Sequence, residues 1–368
     1  MMKNRLSICF LALVGLMICI PMLCTNIKRN QESYFDNRYL VEFPKLGTPG
    51  YSGQVEAYVN DRIGFRRDFI TAYQTACYHT FGVLVHPGFI AGQNGYFYDN
   101  WNLKTYQHLE VDEEYVDLFA KYIFKLEDEA SKQQAKFLFF IAPDKETVYP
   151  EYFPAGYNVA NRENRTDLIL KALNDEGITT VFPKEELCQQ KLTTQVYNVK
   201  DDPGHWNAVG AYYGNRCAMQ VIHKWFPEYT VLGDPCFEEG VALHLDGTKM
   251  RINETVPILK VNGLQDNAEE YFQQHGIKIP EMQYKHYAAT KDTAPSILLI
   301  GDSYYQGYGV AESFAMTGAE VTFLTASVLP DYQYYLETIQ PDVVLVETAE
   351  RRIEGDWWSI DSIKNQLQ

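Results

Sequence analysis

Positive charge is scarce in this chain. Its 368 residues carry 32 Lys and Arg against 48 Asp and Glu, which gives a formal net charge of −16. Nucleic acids and anionic membrane surfaces attract proteins through clustered basic residues, so both are poor partners for so acidic a chain. Neutral polymers and small neutral donor molecules suit this charge better.

The chain also lacks a C-x-x-C pair, internal repeats and low-complexity linkers. Four of its cysteines, Cys77, Cys188, Cys217 and Cys236, are isolated, and the others lie in one N-terminal apolar run. Isolated cysteines argue against a zinc site and against a disulfide scaffold, but leave open one disulfide from Cys188 to Cys217 or Cys236. Because 46% of the residues are hydrophobic, the chain can bury a sizeable core.

No small-x-small cleavage site follows the N-terminal apolar run. Residues 6–24 contain no charge, and their length is near the roughly 20 residues that a helix needs to cross a bilayer. We therefore predict an uncleaved membrane anchor in residues 1–27, with the body of the protein outside the cytoplasm. A cleaved signal peptide is the alternative, and a buried core helix is a third.

Helical patterns alternate with short apolar runs from residue 111 onward. The runs at 296–301, 320–325 and 342–347 have the length and composition of strands buried on both faces. This alternation predicts an α/β fold with a mainly parallel sheet, in which these three runs are neighbours or near-neighbours. We expect an N-terminal extension at 28–110 that packs on the core and a catalytic domain at 111–368. A β-rich insertion is expected at about 231–290, with a hairpin signal at Asp246-Gly247.

Two short blocks carry the chemistry. In "SILLIGDSYY" Ser303 follows a buried run and Gly301, at the carboxyl edge where open α/β sheets bind ligands. A serine nucleophile needs a base, and "KDDPGHWNAVGAYY" offers His205, with Asp202 three residues earlier to fix its tautomer. We predict that each block lies at a strand-to-helix junction, so that the two meet. The alternatives are that Ser303 is only a helix cap and His205 only structural.

Other residues near the two blocks have less certain roles. We assign Tyr304, Asn207 and Lys145 to substrate or oxyanion contacts, although Asn207 fits a helix cap equally well and Lys145 fits a solvated loop or a salt bridge. Trp206 is predicted to pack beneath the site. No second histidine or carboxylate stands three or four residues from His205 along a helix, so we predict neither a metal nor another cofactor.

The two blocks together resemble the SGNH hydrolase superfamily. Their order, with Asp/His before Ser, resembles the SGNH-like acetyltransferases of the alginate O-acetylation family and the related Asp-His-His-Trp (DHHW) proteins of Gram-positive bacteria. Further segments match that family in order: "FDNRYLVEFP", "VEAYVNDRIGFRRDFI", "GQNGYFYDN", "FFIAPDKETVYPEYFP", "DDPGHWNAVGAY", "LLIGDSYY" and "VVLVETAER". The resemblance implies an SGNH-hydrolase-like three-layer fold with a permuted motif order.

The sequence departs from that family at two points. Family members usually place the acid two residues before the histidine, where Pro203 stands here, so the acid is either Asp202 or Asp201. The asparagine block of SGNH hydrolases is not evident either. The equivalent strand ends in "VETAERR", which offers Thr348 or Glu347 to line the site.

The resemblance also implies a reaction and its partners. Ser303 would take an acetyl group as an acyl-enzyme, and a hydroxyl of a cell-surface polysaccharide would then accept it, with His205 as base and acid. A membrane-bound O-acyltransferase would supply the acetyl group. An acetyl-esterase acting on the same substrates and a non-catalytic protein that binds glycan or serves in assembly are the alternatives.

Overall fold

The structure is a computed structural model, which describes residues 2–33, 38–85, 88–100, 112–154, 164–234, 236–245 and 250–368. Contacts divide the chain into two units, residues 1–86 with 242–253 and residues 87–241 with 254–368. The predicted domain boundary between residues 110 and 111 stays a prediction.

The first unit is mainly helical. Its elements are α1 (Met2–Leu23), β1 (Glu32–Ser33), β2 (Arg38–Tyr39), α2 (Tyr51–Arg62) and α3 (Arg66–Phe81). The Arg62 side chain is fully buried; it donates a hydrogen bond to the Val41 carbonyl at 2.6 Å and pairs with Glu42 at 2.7 Å. These contacts tie the end of α2 to the extended segment before it. Within the described ranges, no helix combines the length and the apolar character needed to cross a membrane.

The second unit contains the α/β core. Its strands are β3 (Phe89–Ala91), β4 (Phe97–Asp99), β5 (Lys136–Ala142), β6 (Thr180–Val181), β7 (Phe237–His244), β8 (Arg251–Leu259), β9 (Tyr284–Tyr287), β10 (Ser296–Gly301), β11 (Glu320–Thr325) and β12 (Val343–Ala349), of which β7 and β8 extend into the first unit at their turn ends. Its helices are α4 (Glu113–Lys132), α5 (Lys145–Val148), α6 (Arg165–Asp175), α7 (Lys184–Gln190), α8 (Ala208–Trp225), α9 (Ala268–His275), α10 (Ser303–Gln306), α11 (Val310–Ala315), α12 (Tyr332–Ile339) and α13 (Ile360–Leu367).

Six strands form the central sheet, in the order β6-β5-β12-β10-β11-β9. All neighbouring pairs are parallel except β11 and β9. In the register, Ile297 of β10 lies opposite Val321 of β11 and Val343 of β12. The predicted neighbourhood of the three C-terminal apolar runs is therefore confirmed, and so is the mainly parallel sheet.

Helices cover both faces of this sheet. Along β5, Leu138 and Phe140 belong to a core cluster that includes residues of α8 and α11, whereas Phe137 and Phe139 belong to a second cluster with α4, α6 and α12. Successive strand residues point to opposite faces, so a continuous apolar run serves both clusters at once. Each fully buried Leu or Phe contributes about 1.5–3 kcal/mol to stability. The result is the predicted arrangement of three layers.

Polar caps fix where the helices of one layer begin. The Asp112 carboxylate accepts hydrogen bonds from the backbone N–H groups of Glu114 and Tyr115, at the start of α4. At α6, Asn164 and Asp167 form a reciprocal capping box at 2.9 and 3.0 Å. Such caps contribute about 1 kcal/mol each, because they satisfy N–H groups that have no partner within the helix.

The region predicted as a β-rich insertion, residues 231–290, is only partly β. The strands β7 and β8 form the expected hairpin, although its turn signal at Asp246-Gly247 lies outside the described residues. The region also contains the helix α9, and β9 joins the central sheet as its antiparallel edge. The prediction missed these two elements because they are short and their apolar residues are few.

The cysteines, all within the described residues, are free thiols. The disulfide that the sequence left open between Cys188 and Cys217 or Cys236 is thus not formed in this structure.

Candidate active site

Ser303 lies at the first residue of α10, directly after β10 and Asp302. Asp302 holds this turn: its carboxylate accepts hydrogen bonds from Tyr304 N–H at 2.9 Å and from Ala349 N–H at 2.8 Å, and its own N–H donates to Glu347 at 2.9 Å. The turn that carries Ser303 is therefore fastened to the end of the neighbouring strand β12.

Gly301 makes this turn possible. A Cβ atom at this position would lie 2.7 Å from a Glu347 carboxyl oxygen and 2.8 Å from Tyr305 Cβ, closer than real Cβ contacts allow. Burial and the nearby Asp302 charge hold the pKa of Glu347 well above its usual range. Glu347 is completely buried and supports the turn from below.

His205 connects Ser303 to Asp202. Its Nε2 atom lies 2.9 Å from Ser303 Oγ, and its Nδ1 atom lies 2.7 Å from Asp202 Oδ1. Both His205 and Asp202 keep about one fifth of their side-chain surface exposed, 21% and 22%, so solvent and small substrates can reach them. The predicted meeting of the two blocks is thus present in the structure.

Asp202 is ionised in this arrangement. Burial alone would raise its pKa, but the neighbouring His205 imidazole, through its electrostatic effect and its hydrogen bond, and the Arg351 guanidinium lower the pKa of Asp202 below its usual value. The neighbouring acid, Asp201, instead accepts a hydrogen bond from Asn198 Nδ2 at 3.2 Å. Between the two acids left open by the sequence, the geometry favours Asp202.

The backbone position of His205 differs from the prediction. The nearest preceding sheet strand, β6, ends at Val181, and the helix α7 and a series of turns separate it from His205. The expectation that both blocks follow strands is therefore wrong for His205. The loop reaches the site because Asn207 fixes its far end at the start of α8.

Asn207 is a helix cap. Its side-chain oxygen accepts hydrogen bonds from the N–H groups of Val209 and Gly210 at 3.0 Å, and its amide nitrogen donates to the Gln195 carbonyl at 3.0 Å. Only 1% of its surface is exposed. The polar side-chain atoms are therefore used within the loop, and the alternative role as a donor into the pocket is not supported.

Tyr304 lies beneath the site rather than in it. The side chain is fully buried, and its hydroxyl donates to the Gly204 carbonyl at 2.8 Å. Its backbone N–H is taken by Asp302. The predicted oxyanion or substrate role therefore does not fit this residue, which instead joins the serine turn to the histidine loop. Trp206 packs against Tyr304 at a ring distance of 5.1 Å, as predicted for a residue under the site.

Lys145 is buried as well, and is neither a solvated lysine nor an ordinary salt-bridge partner. Its Nζ atom donates to the carbonyls of Phe97 at 2.6 Å and Val199 at 3.1 Å, and it lies over the rings of Tyr96 and Tyr98. Burial lowers the pKa of Lys145 to about 7. Its contacts fix the loop before Asp202, which differs from the predicted substrate or oxyanion role.

The sequence reasoning missed Arg351. One of its terminal nitrogens lies 3.1 Å from His205 Nε2, and the other donates to Asp144 at 2.8 Å and to the Gly204 carbonyl at 2.5 Å. An arginine can only donate, so His205 Nε2 must carry a lone pair and the proton must reside on Nδ1, facing Asp202. The available signal was its position two residues after β12, at the same sheet edge as Ser303.

The residues proposed at the end of β12 itself do not line the site. Glu347 and Thr348 are both completely buried, and the Thr348 hydroxyl donates to the Ala349 carbonyl at 3.3 Å. The side chain that reaches the site from this strand is Arg351, which lies farther along the chain.

One protein family matches more than half of the chain. The family described as "SGNH hydrolase-like domain, acetyltransferase AlgX" matches residues 89–317, a segment that contains both Asp202 and Ser303. The chain belongs to this family. Its Asp-x-x-His block retains the hydrogen bond to histidine, although Pro203 occupies the place where family members usually carry the acid. No curated protein sequence matches the chain.

Solved structures show the same fold. The O-acetyltransferase domain of Pseudomonas putida AlgJ superposes with a TM-score of 0.54 at 15% identity, over 76% of this chain and 99% of that domain. Bacillus cereus PatB1 gives 0.53 at 14% identity, over 72% and 97%. A DHHW family protein from Eubacterium siraeum gives 0.54 at 13% identity, over 77% and 96%. These likenesses extend the SGNH-like fold across most of the chain.

Proposed function

We propose that this protein is an extracytoplasmic O-acetyltransferase that moves an acetyl group through Ser303 to a hydroxyl of a cell-surface polysaccharide. The observation that carries the proposal is the chain of two hydrogen bonds from Ser303 through His205 to Asp202. The type of reaction is supported by the family, which is one of acetyltransferases, and by the shared fold of the AlgJ O-acetyltransferase domain.

In the first step, Ser303 Oγ attacks the acetyl carbonyl while His205 Nε2 takes the hydroxyl proton. The tetrahedral intermediate then collapses, and Nε2 returns this proton to the leaving group of the donor. Asp202 stabilises the imidazolium that exists between these events and keeps the imidazole in the required orientation. The product is an acetyl ester on Ser303.

The second step repeats the chemistry with the acceptor. A sugar hydroxyl attacks the acetyl-Ser303 carbonyl, His205 removes its proton, and the proton passes to Ser303 Oγ as the ester bond breaks. The acidic character of the chain suits a neutral sugar better than a polyanion. From the uncharged run at residues 6–24 we infer that the N-terminus anchors the body at the cell membrane, and that a membrane-bound O-acyltransferase delivers the acetyl group.

Hydrolysis is the alternative outcome. Because His205 and Asp202 are partly exposed, water can reach the acyl-enzyme and replace the sugar. The distance of only 2.9 Å between His205 Nε2 and Ser303 Oγ argues against a purely glycan-binding role.

The test is acetyl release from a small activated acetyl ester by the full chain, with and without an oligosaccharide acceptor. A transferase should form acetylated oligosaccharide, whereas an esterase should release only acetate. Absence of both products, with Ser303 unacylated, would overturn the proposal. Protease added to intact cells should remove the body from α1, and full protection of the chain would contradict the proposed orientation.

A further inference from the structure

A carboxylate from the β7–β8 hairpin binds the backbone of the loop that leads to Asp202. Glu254, in β8, accepts hydrogen bonds from three successive backbone N–H groups: Val199 at 2.5 Å, Lys200 at 2.8 Å and Asp201 at 2.7 Å. Consecutive N–H groups that converge on one anion form a nest, and hydrogen bonds to a charged acceptor are the stronger kind. The Glu254 carboxylate is thus the anion that this nest binds.

The next residue has a backbone conformation that needs such support. Asp202 has φ at +42°, in the left-handed region where a side chain costs free energy. A residue persists in such a conformation only where the surrounding structure imposes it. Here Glu254 holds the three peptide N–H groups before it, and Lys145 holds the Val199 carbonyl from the other side at 3.1 Å.

The side chain of Asp202 depends on this backbone geometry. Its carboxylate must lie at hydrogen-bond distance from His205 Nδ1, which it does at 2.7 Å. Without the carboxylate of Glu254, three N–H donors would lose a shared partner, and Asp202 could relax toward an ordinary φ value. Such relaxation would turn its carboxylate away from the imidazole.

We propose that Glu254 is a positioning residue for the acyl transfer: by binding the nest at residues 199–201, it holds Asp202 on His205. This inference rests on the proposed function, because the acid–base steps require Asp202 at this point. It also gives the hairpin a role, since an element outside the central sheet then controls the geometry of the acid. Glu254 itself contacts neither the substrate nor the reacting atoms.

The experiment compares two variants of the full chain with the wild type. Glu254→Ala leaves a nest with the size and charge preference of a carboxylate, so added formate should refill it. Glu254→Gln keeps the nest occupied but turns an amide NH2 group toward backbone donors, so formate should have no effect. Exposed Glu239 on β7 provides the matched control, as Glu239→Ala, which should behave like the wild type.

We expect kcat for acetyl-ester turnover to fall about 100-fold in both Glu254 variants with KM unchanged, the size of effect that a displacement of about 1 Å can produce. Formate should restore most of kcat in Glu254→Ala, whereas neutral formamide at the same concentration should not. The downfield NMR signal of His205 Nδ1–H, which reports the hydrogen bond to Asp202, should weaken and recover in parallel.

Two outcomes would overturn the inference. One is wild-type kcat in both Glu254 variants. The other is a lost kcat with an unchanged Nδ1–H signal, since Asp202 would then still be in place. If the wild type itself neither transfers nor releases acetyl, the proposed function fails, and the NMR signal still decides whether Glu254 positions Asp202.

Discussion

Removing the charge of Arg351 should destabilise the second unit by an amount that depends on pH. Arg351 and Asp144 form an ion pair at 2.8 Å in which the side chains keep only 8% and 2% of their surface exposed. In Arg351→Met the Asp144 carboxyl group stays buried without its partner. Breaking a buried pair in this way costs about 3–5 kcal/mol of the free energy of unfolding.

The sign of the pH dependence follows from Asp144. Burial raises the pKa of Asp144 to about 7 even though Arg351 lowers it. Without Arg351 the pKa rises further, so above pH 7 the folded variant keeps a proton that the folded wild type and both unfolded chains have released. The variant therefore loses about 1.4 kcal/mol relative to the wild type for each pH unit above 7. The deficit should be larger at pH 9 than at pH 6.

Urea unfolding followed by tryptophan fluorescence measures this effect, because all five tryptophans lie in the second unit. Arg352→Met is the matched control: Arg352 is 37% exposed and pairs with an exposed Asp356, so its loss should cost less than about 1 kcal/mol at either pH. Adding Asp144→Leu to Arg351→Met should recover part of the stability. Equal costs for the two arginine variants, or a deficit that shrinks as pH rises, would refute the reasoning.

Three further predictions concern the site. Ser303→Ala or His205→Ala should each abolish turnover of an activated acetyl ester, and the double variant should be no less active, since the residues act as a unit. Full activity of folded Ser303→Ala would contradict the mechanism. Asp202→Asn should reduce kcat less than Ser303→Ala, and Asp201→Asn should leave kcat near the wild type. A lower kcat in Asp201→Asn than in Asp202→Asn would instead assign the acid to Asp201. The wild type should gain stability relative to Lys145→Met between pH 7 and 10 in urea unfolding, because the folded pKa of Lys145, about 7, lies below its ordinary value of 10.5; a flat difference contradicts this.

Much of the fold follows from local patterns in the sequence. The apolar runs that correspond to β10, β11 and β12 have the length of buried strands, and the pairing of Ser303 with His205 follows from the chemistry of a serine nucleophile. These predictions needed only residue type and spacing. They did not depend on which loops lie together in the folded protein.

The residues that the sequence misassigned are those whose role depends on the partner that the fold brings to them. Asn207, Tyr304 and Lys145 are polar residues beside the motifs, and each turned out to satisfy nearby backbone carbonyl or N–H groups. Arg351 and Glu254 were missed because their partners lie 146 and 53 to 55 positions away in sequence. The position of Arg351 just after β12 indicated the sheet edge of Ser303, but no local pattern identifies the partner of either residue.

The long sequence separations within the site have a consequence for how the site assembles. The contacts that assemble the site join residues 98 positions apart for His205 and Ser303, 146 for His205 and Arg351, and 207 for Asp144 and Arg351. Each such contact closes a long loop, and contacts of this kind form late in folding because the chain entropy must be paid first. A nascent chain that ends before Arg351 contains Ser303, His205 and Asp202 but not the arginine that contacts His205 Nε2. The complete set of site contacts can therefore form only when nearly the whole polypeptide has been made.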